Sequence, residues 1–205
     1  MSGAPNTDAL SDAVARLRRM GVVPAVAKTL GDDNQAFAAK LRSVVLDEVP
    51  AYTESGNPEV LPELQRHLED HIEAARSLLA GNPVGSFGFI DEHAERRAAQ
   101  KFPLDAMLQA YRCLHRLLAP WIRDAALDVA PDDAHVRRVV AAVTDFTIEY
   151  TGLVGSLITS RYVELTRVLA EAEGDRRLEL LNTLLDGYDE SDQHASRLLL
   201  SLIHI

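Results

Sequence analysis

The sequence predicts an all-α helical bundle with one very long C-terminal helix. Apolar residues recur at three- and four-residue spacing along almost the whole chain, and no stretch alternates between apolar and polar residues as a half-buried strand does. The glycine and proline breaks also lie too far apart for a β-sandwich. Of the 205 residues, 47% are hydrophobic and 25% are charged, which is typical of a globular protein with its own core.

Helix start and stop signals divide the first half of the chain into four helical segments. Gly21 ends the first segment, Asp33 or Asn34 caps the third, and Pro50 stops it. The predicted segments are Asp8–Met20, Val22–Leu30, Asn34–Val49 and Asn57–Gly81.

The second half begins with a charged segment, Ser86–Lys101, which we expect to be mostly solvated. Pro103 then opens a strongly amphipathic helix that runs to Ala125. The third segment, Asp133–Glu173, would be on the order of 60 Å long at 1.5 Å per residue. A separate helix is predicted for Arg176–Asp186, and the apolar residues after it suggest that the natural chain continues beyond Ile205.

Charge and cysteine content exclude several classes of protein. With 21 Lys+Arg against 31 Asp+Glu, the net charge of −10 disfavours binding of nucleic acid through bulk electrostatics. Cys113 is the only cysteine, so an intramolecular disulfide and a cysteine-based zinc site are excluded. No signal peptide is evident, and the longest apolar stretch, Thr151–Thr159, is about half the ~20 residues of a membrane span. We therefore expect a cytoplasmic protein with no membrane insertion.

Two groups of residues are candidates for binding chemistry. His67 and His71 lie four residues apart on one helix and could hold a metal, but Leu68 stands where a zincin has glutamate, so a structural pair at the edge of the apolar stripe is favoured. His115 lies on the predicted core face, where a haem or small ligand could be met, although a buried structural histidine is the preferred interpretation.

Tyr111, Arg112, His115 and Trp121 together form a polar and aromatic cluster that suits a ligand pocket, with aromatic core packing as the favoured alternative. The chain contains no GxSxG, P-loop or GxGxxG motif and no carboxylate pair in an apolar setting. The sequence thus predicts neither an enzyme nor a bound metal or cofactor.

Two runs carry a resemblance to a known family. Residues 92–112, EHAERRAAQKFPLDAMLQAYR, resemble a run in the helical N-terminal domains of PucR/CdaR-type bacterial transcriptional regulators. Residues 171–187, EAEGDRRLELLNTLLDG, resemble the start of the GGDEF-like middle domain of those regulators. Their N-terminal domains are related in turn to the sensor domain of RsbR-type co-antagonists of the stress response.

The resemblance implies a cytoplasmic regulator with a helical sensor, a degenerate GGDEF-like domain and a C-terminal DNA-binding helix-turn-helix. Residues 1–173 would form the sensor and dimerisation domain, and residues 174–205 would begin the middle domain. DNA would be bound only through the third part, which this sequence lacks. The kinship with RsbR-type sensors also implies a globin-like fold without haem, in which His115 is structural.

The leading hypothesis is a signal-input and dimerisation region that responds to a small-molecule effector or a partner by a population shift, transmitted by the long helix. A homodimer is expected, with helix-crossing contacts at Gly152, Gly155, Leu165 and Val168. Two alternatives stay open: a haem-binding globin-type sensor with His115 or His71 as axial ligand, and a ligand-free protein-interaction module of a stress-signalling complex.

Overall fold

A computed structural model of the protein describes residues 7–32, 34–80, 82, 87–129 and 132–185, with the backbone alone for 183–185. These residues contain eight α-helices and no strand, which confirms the predicted all-α class. The helices are α1 (Asp8–Arg19), α2 (Val23–Asp32), α3 (Asn34–Glu48), α4 (Ala51–Glu54), α5 (Val60–Ala80), α6 (Gly88–Ala99), α7 (Leu104–Leu127) and α8 (Asp133–Leu185). The chain divides into two compact units, residues 1–162 and 163–205.

The first unit is a helical bundle with α5 at its centre. Helices α1, α2, α3, α4 and α6 pack against α5, and α7 packs against α2 and α3. The part of α8 in this unit buries one apolar face over five turns. Its buried residues are Val139, Ala142, Val143, Phe146, Tyr150, Leu153, Val154 and Ile158. The core therefore lies where α5, α7 and the first part of α8 bring their apolar stripes together.

Helix α7 has the predicted amphipathic pattern. Pro103 precedes its first turn in an extended conformation, which a proline adopts readily. The buried apolar stripe is confirmed and includes Met107, Tyr111, Leu114, Leu118 and Ile122. The short helix α4 was not predicted, because one turn is too short to show a period in the sequence.

Helix α8 corrects one predicted boundary. We expected a break at Gly174 and a new helix from Arg176, but a single helix runs from Asp133 to Leu185. A glycine in a helix interior costs only about 1 kcal/mol relative to alanine. The glutamate, alanine and arginine residues on both sides of Gly174 favour a helix, so one glycine does not end it.

The second unit is described only as far as the end of α8. Its described residues are largely exposed, and five large apolar side chains among them are 42–59% exposed. These are Val163, Val168, Leu169, Leu178 and Leu181. The predicted acidic run at 189–192 and the apolar end at 198–203 lie outside the described residues.

Helix α6 lies in the segment that we predicted to be mostly solvated, and the structure differs from that prediction. One face of it is buried in the bundle, and that face includes His93 and Arg97 at 1% and 0% exposure. The apolar residues Ile90, Ala94 and Ala98 recur every four positions and carry the two polar side chains inward with them. No described helix is long and apolar enough to cross a membrane.

Candidate functional site

Three histidines from two helices meet in the core of the first unit. His67 and His71 lie on α5 and His93 lies on α6, and all three are at most 3% exposed. The rings of His67 and His93 stack with centroids 3.7 Å apart and planes 7° from parallel. The ring of His71 meets His67 edge-on, with centroids 4.5 Å apart. The predicted histidine pair is therefore fully buried, instead of lying at the edge of the apolar stripe.

Tyr150 of α8 determines which nitrogen of His71 carries the proton. Its hydroxyl donates to the backbone carbonyl of His71 at 3.1 Å, so its oxygen must accept the hydrogen bond from His71 Nδ1 at 2.9 Å. The Nε2 atom of neutral His71 is then a bare acceptor. It lies 3.0 Å from His67 Nε2, so His67 carries its proton on Nε2 and donates it to His71.

The same chain of hydrogen bonds reaches α7. His67 Nε2 also lies 2.9 Å from the hydroxyl of Tyr111, a residue that is 7% exposed, so its single N–H is shared between His71 Nε2 and the Tyr111 oxygen, which accepts. The chain from Tyr150 through His71 and His67 to Tyr111 thus joins α8, α5 and α7. We call these four side chains, together with His93, the histidine cluster. The Nδ1 atoms of His67 and His93 are buried and have no hydrogen-bond partner among the described residues.

A buried arginine lies beside the histidine cluster. Arg97 Nη1 lies 3.3 Å from a carboxylate oxygen of Glu63 on α5 and donates to Gln100 at 2.7 Å. Its second amino group donates to the carbonyl of Val60 at 3.1 Å. The guanidinium carbon also lies 5.0 Å from the centre of the Phe102 ring, within cation–π range. The charge of Arg97 is therefore paired with Glu63, and its two amino groups donate hydrogen bonds, whereas its buried Nε has no partner among the described residues.

Burial controls the protonation states in the histidine cluster. Loss of solvation lowers the pKa of His71 to about 3 and lowers the pKa of His67 and His93 well below the ordinary value. The positive charge of Arg97 lowers the pKa of His67 and His93 further. Burial also raises the pKa of Tyr111 and Tyr150 above the ordinary range. The histidine cluster is therefore neutral at pH 7.

Replacement of Tyr150 by phenylalanine should destabilise the protein more than replacement of Tyr111. Tyr150→Phe removes two hydrogen bonds, the one that its oxygen accepts from His71 Nδ1 and the one that its hydroxyl donates to the His71 carbonyl. Tyr111→Phe removes only the contact with His67 Nε2. We expect losses of about 2–3 and about 1 kcal/mol in the free energy of unfolding, measured by urea denaturation at about pH 8. Equal losses would contradict the assigned hydrogen-bond chain.

The predicted ligand-contact residues of α7 lie in different surroundings. Tyr111 belongs to the histidine cluster, and Arg112 is exposed. His115 is half-buried, with Nδ1 3.1 Å from the Thr151 hydroxyl, which corrects its predicted place on the core face. Trp121 is half-buried and stacks on Phe37, with ring centroids 3.9 Å apart. The surroundings of the four side chains differ, and their contact with a ligand stays a prediction.

The predicted helix-crossing residues lie on α8 in both units. Gly152 is exposed and Gly155 half-buried, and a Cβ atom built on either would meet nothing within 4 Å. In the second unit Leu165 is half-buried and Val168 is 49% exposed. The role of all four in a dimer stays a prediction.

The hydrogen bonds of the histidine nitrogens decide whether they could bind a metal ion or a haem iron. No group of three or more His, Cys, Asp or Glu side chains in the described part of the chain has an arrangement suited to a metal ion. Both ring nitrogens of His71 already have partners, so its service as an axial haem ligand would require His67 or Tyr150 to be displaced. His115 would first have to leave Thr151.

Sequence reasoning missed His93, Arg97 and Glu63 as parts of this site. The run 92–112 that carries the family resemblance supplies His93, Arg97, Phe102 and Tyr111 to the buried cluster and its surroundings. The four-residue repeat of Ile90, Ala94 and Ala98 was the available signal for a buried face on α6. The sequence of α6 alone could not show that Glu63, on α5, would pair with Arg97 and so allow an arginine on the buried face.

The fold and this site define an all-α helical bundle whose core holds polar side chains that are hydrogen-bonded to one another. The family model described as the RsbT co-antagonist protein rsbRD N-terminal domain matches residues 35–177. The chain belongs to this family. No curated protein and no solved structure matches the chain significantly.

Proposed function

We propose that the chain is the signal-input and dimerisation region of a PucR/CdaR-type bacterial transcriptional regulator whose DNA-binding domain lies beyond residue 205. The family membership supports a sensor module, and the run 92–112 supports the regulator type. The single observation that carries the proposal is that α8 takes part in the buried core through Tyr150 and continues into the second unit with exposed apolar side chains.

In this mechanism α8 is the element that changes between two states. Tyr150 joins α8 to α5 and α7 through the histidine cluster, so a shift of α8 in the bundle must rearrange a fully buried set of hydrogen bonds. Buried polar networks lose several favourable contacts when one member moves, which favours two discrete arrangements over a continuum. An effector that binds one arrangement more tightly would shift the population and pass the difference along α8.

Dimerisation explains the exposed apolar surface of α8. Ile148 lies on the outward side of the helix and is 53% exposed, and Gly152 and Gly155 follow it at four- and three-residue spacing. Three positions at this spacing share one face of a helix. A second copy of the chain crossing α8 there would bury Ile148 against a surface without side chains, in a contact that a twofold axis makes self-complementary.

Replacement of Ile148 by glutamate should separate the dimer without unfolding the bundle. Ile148 is exposed, so we expect a change within about 0.5 kcal/mol in the free energy of unfolding of the protomer. A charge placed in the centre of an interface should raise the dimer dissociation constant by about tenfold or more. Sedimentation velocity over a dilution series measures this constant.

Val129→Glu is the matched control. Val129 is 50% exposed, follows α7 and lies outside the proposed face, so its replacement adds the same charge without reaching the dimer contact. A wild-type chain that is monomeric at every micromolar concentration would contradict the dimer, and equal effects of both variants would contradict the α8 face.

Mass spectrometry of the whole chain, first native and then denatured, tests for an effector. A native dimer that releases a discrete small molecule on denaturation would support ligand sensing, and the released mass would identify the signal. Release of one haem mass would instead favour a haem sensor. A dimer without added mass would count against a tightly bound effector and in favour of an interaction module.

A further inference from the structure

A basic groove lies between the C-terminal end of α1 and the first turns of α8. It has a volume of about 390 Å³ and is lined by Arg16, Arg19, Met20, His135 and Arg138. No carboxylate lines it, although the chain carries a net charge of −10. Positive side chains brought together in this way repel one another unless an anion lies between them.

The hydrogen bonds in the groove leave two arginines available. Arg16 is paired with Asp145 at 2.9 Å, and this carboxylate neutralises one of the three guanidinium groups. Among the described residues Arg19 and Arg138 have no ion pair, and Arg138 donates to the imidazole of His135 at 3.4 Å. Asp132, at the start of α8, accepts from the backbone N–H of His135 at 2.7 Å and caps the helix. Two guanidinium groups thus face the groove without a carboxylate of their own.

His135 is held in place at the wall of the groove. Its Nε2 donates to the backbone carbonyl of Met20 at 3.2 Å, so in the neutral ring Nδ1 is the acceptor that faces Arg138. This contact joins the end of α1 to the start of α8 and orients the arginine beside it. The groove therefore needs residues from both α1 and α8.

We propose that this groove binds a small molecule that carries a phosphate group. Two guanidinium groups match the oxygens of a phosphate through paired, charge-assisted hydrogen bonds, and a dianion satisfies both at once. The volume exceeds that of one phosphate, and Met20 offers an apolar contact for an organic part. Such a ligand would hold α1 against the first turns of α8. A signalling consequence of binding rests on the function proposed above, whereas binding itself does not.

Titration of the full chain with inorganic pyrophosphate tests the site. We expect saturable binding by calorimetry, and loss of about tenfold or more in affinity for the Arg19→Gln/Arg138→Gln double variant. Both arginines are exposed, so the variant should fold, which circular dichroism checks. The matched control is Lys28→Gln/Lys40→Gln, which removes the same charge from exposed positions on α2 and α3 and should change affinity less than about twofold.

Several results would overturn the proposal. The proposal fails if the wild-type chain does not bind pyrophosphate. It also fails if both double variants lose the same affinity, because net charge alone would then explain the binding. Succinate binding as tightly as pyrophosphate would remove the assignment to phosphate. Binding to phosphatidic acid vesicles that depends on Arg19 and Arg138 would replace the small molecule with a lipid headgroup.

The ring resonances of His135 report whether pyrophosphate binds in the groove. The ring resonances of His135 should shift during the pyrophosphate titration, and unmoved resonances would place any binding elsewhere. A monomeric chain that still binds pyrophosphate at His135 would leave this site standing and count against the proposed dimerising sensor. A dimer without pyrophosphate binding would do the reverse.

Discussion

Lowering the pH from about 8 to about 5 should remove much of the stability of the bundle. The three buried histidines have folded-state pKa values below the unfolded value of about 6.5, so the unfolded chain binds more protons between these limits. Their stabilising effect is complete above about pH 6.5 and is lost as the pH falls toward the folded pKa, about 3 for His71. Each histidine contributes up to about 1.4 kcal/mol per pH unit, or about 4 kcal/mol per pH unit for all three.

Urea unfolding at several pH values measures this slope. By about pH 5 the loss should reach up to about 6 kcal/mol, which is comparable with the whole stability of a domain. The window between about pH 6.5 and 5 is the informative one, because the carboxylates titrate mainly below it. A free energy of unfolding that stays constant across this window would contradict neutral, buried histidines.

His93→Phe isolates one third of the effect. The His93 ring stacks on His67, and its Nδ1 has no partner to lose, so phenylalanine keeps the stacked ring and removes the titrating group. The slope should fall to about two thirds of the wild-type value. Overpacking by the larger ring would change the stability at pH 8 and leave the slope comparison intact.

Replacement of Arg97 by alanine should have the largest effect of any single substitution on α6. The side chain is fully buried, and its loss would leave Glu63, itself 14% exposed, without its closest cation and would open a cavity beneath Phe102. Breaking a buried ion pair from one side costs about 3–5 kcal/mol. Urea denaturation at about pH 8 measures the free energy of unfolding.

Arg96→Ala is the neighbouring control. Arg96 also faces Glu63, at 3.7 Å, and Glu92, at 3.6 Å, but its side chain is 36% exposed. An ion pair at that exposure is worth less than about 1 kcal/mol. The two substitutions remove the same charge from adjacent positions, so similar losses would show that burial of Arg97 is not what stabilises the bundle. Arg97→Met keeps most of the side-chain volume, so its loss in free energy of unfolding should lie between those of Arg97→Ala and Arg96→Ala.

The local pattern was sufficient for most of the secondary structure. Gly21, Pro50 and Pro103 stop or start helices through backbone effects that act within a few residues, so the ends of α1, α3 and α7 are close to their predictions. Gly174 did not end α8, because the free-energy cost of one glycine in a helix is smaller than the stabilisation from the helix-forming residues around it. The buried stripe of α7 was predictable because its period does not depend on what covers it.

The candidate site was predictable only in part. The four-residue spacing of His67 and His71 showed that they share a face of α5, and the position of Tyr111 showed that it faces the core. His93 on α6 and Tyr150 on α8 come from other helices and lie 22 and 79 positions from His71 along the chain. Their meeting depends on how the helices cross, which no local period contains.

The sequence by itself determined the all-α class, most helix boundaries and which faces of α5 and α7 are apolar, because spacing, capping and proline act over one or two helical turns. The tertiary structure alone decided that three histidines are buried neutral, that Arg97 is paired inside the core, and that the arginines of α1 and α8 share a groove. Those outcomes depend on desolvation and on distances between charges from separate helices, and both quantities exist only once the helices are packed.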